Sequence, residues 1–334
     1  MQVRLVQALV VGLALGCAAS DAAGQAKEVV VYTANEDNLN ALAFETFQKE
    51  TGVKVVPVAA GSGVLMKRIA SEKDRPQGDI VWGVSRSLLE TNIAYLAPYR
   101  SQNREAIPAE YRDPEDRWIG TNLHLLVLLQ NTKAVPAGQG PKTWSDLLDA
   151  KWKGRLAFTD PANSGSAYTN VTLLAEMWGN SDAAWKRVGA LFGNMKVLNK
   201  SSLVFQGVGN AEYALGMSLE YAGYLWASNG AAVQVTYPSE GTVVLMEGVA
   251  VIKGGPNTAS AQAFVDFVNR KATRELILSK TFRRPARQDL DLTRLPGNMP
   301  ALTSLKLAKY DEAAWTAARP ATMQRIQDII QQTR

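Results

Sequence analysis

The chain has 334 residues, of which 46% are hydrophobic and 20% are charged, as in a packed globular protein of about two domains. A single Cys excludes a disulfide framework and Cys-built metal sites, and a single His excludes the usual multi-His metal sites. The formal net charge of +5 is dispersed along the chain, which argues against nucleic acid as a partner.

The first 26 residues have the features of a secretory signal peptide. Arg4 supplies a short basic start, and the apolar run over 5–16 is too short to span a bilayer. We expect cleavage after Ala26 and export of the mature chain. Lipoprotein processing at Cys17, which follows Gly16, is the alternative.

The first part of the mature chain alternates strands with helices. The hydrophobic pattern predicts strands over 28–32, 53–58 and 79–82, and helices over 39–50, 62–71 and 85–94. The Thr51-Gly52 pair is a stop signal for the first of these helices. Parallel strands joined by helices predict an α/β domain that binds ligands at the carboxyl ends of its strands.

A second unit of the same kind lies between two long apolar strands, 123–130 and 243–252. Its predicted elements, in chain order, are a helix over 143–150, a strand over 155–159, helices over 164–178 and 183–192, a strand over 214–219, a helix over 221–229 and a strand over 233–237. Two helices, 258–269 and 273–280, follow the second long strand. The bracketing strands suggest that the chain crosses between two lobes and returns, whereas two sequential domains remain the alternative.

Three predicted loops share one pattern, in which a strand is followed by small hydroxyl or glycine residues and then by a helix. First-turn N–H groups and the helix dipole can hold an anion there, and small residues let a ligand approach the backbone. Ordinary helix capping is the competing explanation for the serines. The candidate residues of these loops are Ser62, Gly63, Ser85, Ser164, Gly165 and Ser166.

Four further residues are candidates for binding the same ligand: Asn35, Glu220, Tyr221 and Glu240. A carboxylate and a phenol can accept hydrogen bonds from a polar ligand and donate them to it. The sequence contains no nucleophile elbow, phosphate loop, dinucleotide fingerprint or zinc-protease motif, so we predict no enzyme activity. His124 is interpreted as a core or hinge residue, and the basic stretch 283–287 as a solvated segment.

A series of motifs occurs in a characteristic order along residues 28–290: FETFQKETGV at 44–53, AAGSG at 59–63, GDIVWG at 78–83, WSDLLD at 144–149, YPSEGT at 237–242 and RRPAR at 283–287. In this order they resemble the bacterial extracellular solute-binding proteins of family 1, in the subgroup of ferric-iron, sugar-phosphate and aminoalkyl-phosphonate binders.

The resemblance implies a type II periplasmic binding protein, with two α/β lobes, mixed sheets flanked by helices, a two-strand hinge and a ligand cleft between the lobes. Such a protein closes around a small solute in the periplasm and delivers it to an inner-membrane ABC importer. We expect a monomer without a cofactor. The predicted lobes are 27–124 plus 246–282 and 125–245 plus 283–334.

The ferric members of the family carry two adjacent tyrosines at the start of a helix in the second lobe. The matching place here reads LEYAGY at 219–224, so that Glu220 stands beside Tyr221 and Tyr224 follows three residues later. Together with the serine-rich helix starts, this favours a small phosphorylated or phosphonylated solute. Ferric iron held by Tyr221 and Tyr224 is the alternative, and an exported hydrolase is a second one.

Overall fold

The computed structural model describes residues 27–333. The predicted signal peptide and Cys17 lie outside these described residues. Among residues 27–333, no helix combines the length and the apolar character that are needed to cross a lipid bilayer.

Strands and helices alternate along most of the described chain. The strands are β1 Glu28–Thr33, β2 Lys54–Ala59, β3 Ile80–Ser85, β4 Leu96–Ala97, β5 Ile119–Asn131, β6 Leu156–Thr159, β7 Met195–Leu198, β8 Leu215–Leu219, β9 Val233–Thr236, β10 Val244–Ile252 and β11 Arg284–Pro285. The helices are α1 Asp37–Thr51, α2 Ser62–Ser71, α3 Arg86–Thr91, α4 Gly165–Met177, α5 Asp182–Asn194, α6 Ser201–Gly209, α7 Glu220–Ser228, α8 Thr258–Asn269, α9 Lys271–Thr281, α10 Glu312–Ala317 and α11 Arg319–Thr333.

Two sheets meet in strand β5. In the first sheet the order is β2-β1-β3-β10-β5, with β1 parallel to β2 and β3 and the other neighbours antiparallel. Residues 126–131 of β5 then pair with β8 and β9 of the second sheet, which continues through β6 to β7. All thirteen residues of β5 are buried, and residues 125–129 form a continuous apolar run, as expected for a strand that is covered on both faces.

Each sheet has its own hydrophobic core, and we call the two halves lobe 1 and lobe 2. The lobe 1 core is built around β1, β3 and β10 and includes Trp82 and Phe264. The lobe 2 core is built around the second half of β5 with β6 and β8, and it includes Trp144 and Phe158. The predicted lobe bounds stay a proposal, and the segment after α9 departs from them.

Residues 282–286 lie at the junction of the two lobes. Phe282 packs in the lobe 2 core, whereas Ala286 packs in the lobe 1 core, and β11 pairs with Asn122 and Leu123 of β5. This arrangement favours a return to lobe 2 after Ala286 and not at residue 283. The interpretation of 283–287 as a solvated segment is wrong, because all five of these residues are buried.

Most predicted elements agree with the structure to within a few residues. Helix α2 has the predicted bounds, and α1 ends at Gly52, whose φ of 69° is the left-handed conformation that glycine adopts readily. The predicted helix over 143–150 is instead a pair of short 3-10 turns, Ser145–Leu148 and Ala150–Trp152. Helices α6, α10 and α11 were not predicted from the sequence.

The buried carboxylate of Asp79 connects three elements of lobe 1. Its Oδ2 accepts hydrogen bonds from the Val30 amide of β1 at 2.7 Å and from the Asn257 side chain at 3.0 Å. Its Oδ1 accepts one from the backbone N–H of Asn257 at 2.6 Å, directly before α8. Asp79 itself is fully buried, so these donors replace the water that a carboxylate would otherwise bind.

We predict that Asp79→Asn lowers the free energy of unfolding by about 2–3 kcal/mol, because an amide group then faces N–H donors that require an acceptor. Urea denaturation monitored by tryptophan fluorescence measures the change. Asp74→Asn, on the exposed turn nearby, is the matched control and should leave the midpoint unchanged. Equal midpoints for both variants would contradict this role of Asp79.

Candidate functional site

One cavity lies where the two lobes face each other, at the carboxyl ends of their parallel strands. Its volume is only about 40 Å³, so a solute larger than a water molecule can enter only when the lobes move apart. Six residues that were predicted from the sequence line it: Asn35, Ser62, Ser85, Ser164, Ser166 and Tyr221. Six further polar residues line it that were not among the predicted site candidates: Glu36 and Asn163, which belong to predicted loops, and Lys200, Ser201, Ser202 and Glu247, which do not.

The lobes touch each other beside this cavity through small residues. The Gly165 amide of lobe 2 donates to Ser62 Oγ of lobe 1 at 3.0 Å, and the Gly63 amide donates to the Asn163 carbonyl at 3.2 Å. A Cβ atom at Gly63 would overlap the carbonyl oxygen of Ala162. We predicted Gly63 and Gly165 as residues that let a ligand approach the backbone, and the structure shows that they let the opposite lobe approach it.

One part of the cavity wall consists of helix starts and hydroxyl groups. Ser164 caps α4 by accepting a hydrogen bond from the Ala167 amide, and its hydroxyl lies 3.0 Å from Ser166 Oγ and 3.1 Å from Ser201 Oγ. Helix α6 begins at Ser201 without a side-chain cap, so its first N–H groups lack that partner. Lys200 directly precedes α6 and lines the same cavity. This wall has the hydrogen-bond donors and the positive potential that an anionic group requires.

Ser85 supplies a hydroxyl without a partner on the same wall. The residue is 3% exposed, and its Oγ has no hydrogen-bond partner among the described residues. It lies beside Gly165, since a Cβ atom at that glycine would overlap Ser85 Oγ. A buried hydroxyl without a partner is unfavourable, so this group is available to a bound molecule.

A second part of the wall carries carboxylates and a phenol. The Tyr221 hydroxyl of lobe 2 donates to Glu36 Oε1 of lobe 1 at 2.6 Å, and Arg283 Nη2 donates to Glu36 Oε2. The Arg283 guanidinium carbon lies 3.7 Å from the centroid of the Tyr221 ring. Glu36, Tyr221 and Arg283 therefore form one interlobe cluster, which lies next to the junction of the sheets.

Burial raises the pKa of Tyr221 well above its ordinary value, and the Glu36 carboxylate raises it further. Burial acts to lower the pKa of Arg283, but the neighbouring Tyr221, Glu36 and Glu247 outweigh this and hold it above its ordinary value. At neutral pH the cluster thus contains a neutral phenol and a charged guanidinium.

His124 occupies the junction as predicted and does not line the cavity. It is buried in β5, and its Nε2 lies 2.8 Å from Glu247 Oε2. The register of strand β10 shifts between Glu247 and Gly248 against β5, and between Gly248 and Val249 against β3. Such a bulge changes the direction of a side chain, and here the Glu247 carboxylate reaches both His124 and the cavity.

Three of the residues that were predicted to contact the ligand instead make contacts within the protein: Glu220, Glu240 and Tyr224. Glu220 is buried and accepts hydrogen bonds from Arg284 at 2.7 and 2.8 Å and from the Tyr237 hydroxyl. Glu240 accepts from the Trp144 amide and from the Ser145 hydroxyl, so it organises the 145–148 turn. Tyr224 contacts Tyr237 and stacks on Phe282, whereas Tyr221 points to Glu36. The two tyrosines therefore do not converge on one point.

The interlobe cluster is chemically unfavourable for a metal cation, because the Arg283 guanidinium already occupies it. Among residues 27–333 there is no group of three His, Cys, Asp or Glu side chains that could hold a metal ion. The cation of Arg283 already pairs with Glu36 and covers the Tyr221 ring. A trivalent ion would be repelled at this position.

A family model described as "Bacterial extracellular solute-binding protein" matches residues 79–311. The iron uptake protein A1 of Synechocystis is 24% identical over 280 residues, which cover 80% of this chain and 78% of that protein. A putative 2-aminoethylphosphonate-binding periplasmic protein of Salmonella typhimurium is 22% identical over 267 residues, or 74% of each chain.

The periplasmic binding protein AfuA of Actinobacillus pleuropneumoniae, solved with fructose-6-phosphate, superposes with a TM-score of 0.83 and is 26% identical. The match covers 91% of this chain and 99% of AfuA. The predicted fold class, a two-lobed type II periplasmic binding protein, is thereby confirmed.

We predict that Gly63→Ala keeps the lobes apart, because the added methyl group overlaps a backbone oxygen of the opposite lobe and the backbone cannot yield as a side chain does. Small-angle X-ray scattering should give a larger radius of gyration than for the parent chain. Gly193→Ala is the matched control, since it also places an alanine in a helix but its added methyl group has no atom of another residue within 4 Å. If both variants scatter like the parent chain, the contact at Gly63 does not limit closure.

Proposed function

Because the chain belongs to the family of bacterial extracellular solute-binding proteins, we propose that it captures a solute with a phosphate or phosphonate group for an ABC importer. Proteins of this family bind solutes for transport, which agrees with the prediction of a binding protein instead of an enzyme. The identity of the solute is the new element of the proposal, and it depends on the cavity between the lobes.

The observation that carries the proposal is the Ser85 hydroxyl, which is buried at the cavity wall without a partner. The same cavity is lined by Ser164 and Ser201, whose hydroxyls contact each other, and by Lys200 at the uncapped start of α6. A tetrahedral oxyanion has enough acceptor positions to pair with all of these donors at once. A neutral solute would leave several of them unpaired.

The carboxylate part of the wall restricts the remainder of the solute. Glu36 and Glu247 are acceptors, so they favour hydroxyl or ammonium groups on the part of the solute that faces them. Both a sugar phosphate and an aminoalkyl-phosphonate have this combination of an oxyanion and hydrogen-bond donors. The ligand bound to AfuA and the one for which the Salmonella relative is named belong to these two classes and support the proposal.

Ferric iron is the less favourable candidate, although the Synechocystis relative is named for iron uptake. Iron binding by phenolate requires Tyr221 to lose its proton, whereas burial and Glu36 raise the pKa of this phenol. The second tyrosine of the alternative, Tyr224, is stacked on Phe282 inside lobe 2.

We predict that Ser85→Ala weakens solute binding tenfold to a hundredfold, since one hydrogen bond to a charged group contributes about 1.5–3 kcal/mol. Calorimetric titration with fructose-6-phosphate and with 2-aminoethylphosphonate measures the affinity, and inorganic phosphate serves as a third probe. The melting temperature without solute should hardly change, because the hydroxyl has no partner within the described protein.

Ser71→Ala, at the exposed end of α2, is the matched control and should bind like the parent chain. Lys200→Met should weaken binding as well, whereas Lys196→Met, an exposed lysine outside the cavity, should not. Binding of the parent chain to none of the three phosphorus compounds, or unchanged affinity in Ser85→Ala, would overturn the proposal.

The iron alternative has a spectroscopic test. We predict that the protein stays colourless after ferric ion is added without a strong chelator, because Arg283 occupies the place beside the Tyr221 ring. A visible phenolate-to-iron absorption band that disappears in Tyr221→Phe would establish the iron site instead.

A further inference from the structure

Four arginines are buried together at the junction of the two lobes. They are Arg274 on α9 and Arg283, Arg284 and Arg287 on the segment around β11. Their surroundings include Thr121 and Asn122 of β5, the strand that both sheets share. A buried charge is stable only when it has a partner of opposite charge, so each arginine should have an acidic neighbour.

Three of the four have one. Arg284 donates from Nε and Nη2 to Glu220 at 2.7 and 2.8 Å, and Arg287 donates from the same two nitrogens to Asp289 at 2.8 and 2.7 Å. Arg283 pairs through Nη2 with Glu36. In two of these three pairs, the parallel N–H groups on the Nε–Nη2 edge of the guanidinium hold both carboxylate oxygens.

Arg274 differs from the other three. Its Nη1 donates to the Thr121 carbonyl at 3.1 Å and to Asn122 Oδ1 at 2.9 Å, and both are neutral acceptors. Its Nε and Nη2 have no hydrogen-bond partner, and it forms no ion pair within residues 27–333. The side chain is 1% exposed, so its free edge does not face bulk solvent.

Burial lowers the pKa of Arg274 to about 9, and repulsion from Arg283 and Arg287 contributes to this. The guanidinium nevertheless remains protonated at neutral pH. Three further nitrogen donors at the junction also lack partners, namely Nε and Nη1 of Arg283 and Nδ2 of Asn122. Arg274 is therefore a buried cation that pairs with no carboxylate of the described residues, and unused donors remain at the junction.

We propose that the Nε–Nη2 edge of Arg274 binds a small planar oxyanion, of the size of formate, nitrate or bicarbonate, inside the lobe junction. The geometry is that of the Arg284–Glu220 and Arg287–Asp289 pairs, with the external anion in place of the missing carboxylate. Water could accept hydrogen bonds there, but it could not neutralise the buried charge. Arg274 does not line the interlobe cavity, so this site is separate from that of the proposed solute.

The experiment compares thermal unfolding of the whole mature chain in sodium gluconate and in sodium formate, at constant ionic strength and neutral pH. Gluconate is too large for a buried site, whereas formate binds the folded state and raises its melting temperature. We expect the melting temperature of the parent chain to rise with formate and to reach saturation. In Arg274→Met the formate dependence should be lost.

Two control variants separate this effect from others. Arg270→Met removes an exposed arginine that pairs with Glu50, and it should retain the full response to formate. Ser85→Ala should retain it as well, since that serine belongs to the interlobe cavity. An equal response in Arg274→Met and Arg270→Met would indicate a general salt effect, and loss of the response in Ser85→Ala would locate formate in the interlobe cavity. Either result would overturn the proposal.

A crystal structure keeps the proposal testable if Arg274→Met does not fold. Crystals of the parent chain grown in formate should show a planar three-atom density in contact with both Nε and Nη2 of Arg274. Separate water peaks at these two nitrogens would overturn the proposal. The outcome does not depend on the identity of the solute, so failure of this proposal and failure of the proposed function are distinguishable.

Discussion

Strand β5 fixes how the two lobes are joined, because one continuous strand of thirteen residues takes part in both sheets. Its first half pairs with β10 in lobe 1, and its second half pairs with β8 and β9 in lobe 2. Both halves are fully buried, so the sheets cannot separate without exposing an apolar strand to water. This shared strand brings the loops at the carboxyl ends of β1 and β3 opposite those of β6 and β8, and it thereby defines the cavity.

Periodic patterns made the fold predictable from the sequence, whereas long-range pairing did not. The alternation of strands and helices, and the small residues at the starts of α2 and α4, depend on neighbours along the chain. The partners of Glu220 and Glu240 are distant along the chain. Arg284 lies 64 residues from Glu220, and Trp144 lies 96 residues from Glu240. An acidic residue at the end of a strand looks the same in sequence whether it faces a ligand or a buried arginine.

Helix α6 was missed in the sequence for a different reason. Its start, Lys200-Ser201-Ser202, lacks an N-cap hydrogen bond, and a helix without a capping residue has no clear start signal. The free N–H groups on which the proposed anion binding rests are the same feature that removed the start signal. The stretch 283–287 was misread for a related reason, because the pairing that allows charged residues to be buried is visible only in three dimensions.

The Glu36 carboxylate links the lobes to the chemistry of the cavity. It is held by Arg283 at the junction and by the Tyr221 hydroxyl of lobe 2, so a solute that donates hydrogen bonds to Glu36 must displace the phenol or share the carboxylate with it. In the proposed function, opening of the lobes would separate Glu36 from Tyr221, and a bound solute would replace the phenol as a donor. Selection among the proposed phosphorylated solutes would then depend on the groups that reach Glu36 and Glu247, because any phosphate could satisfy the helix starts and the serines. On this proposal the oxyanion contributes affinity, and the carboxylates contribute discrimination.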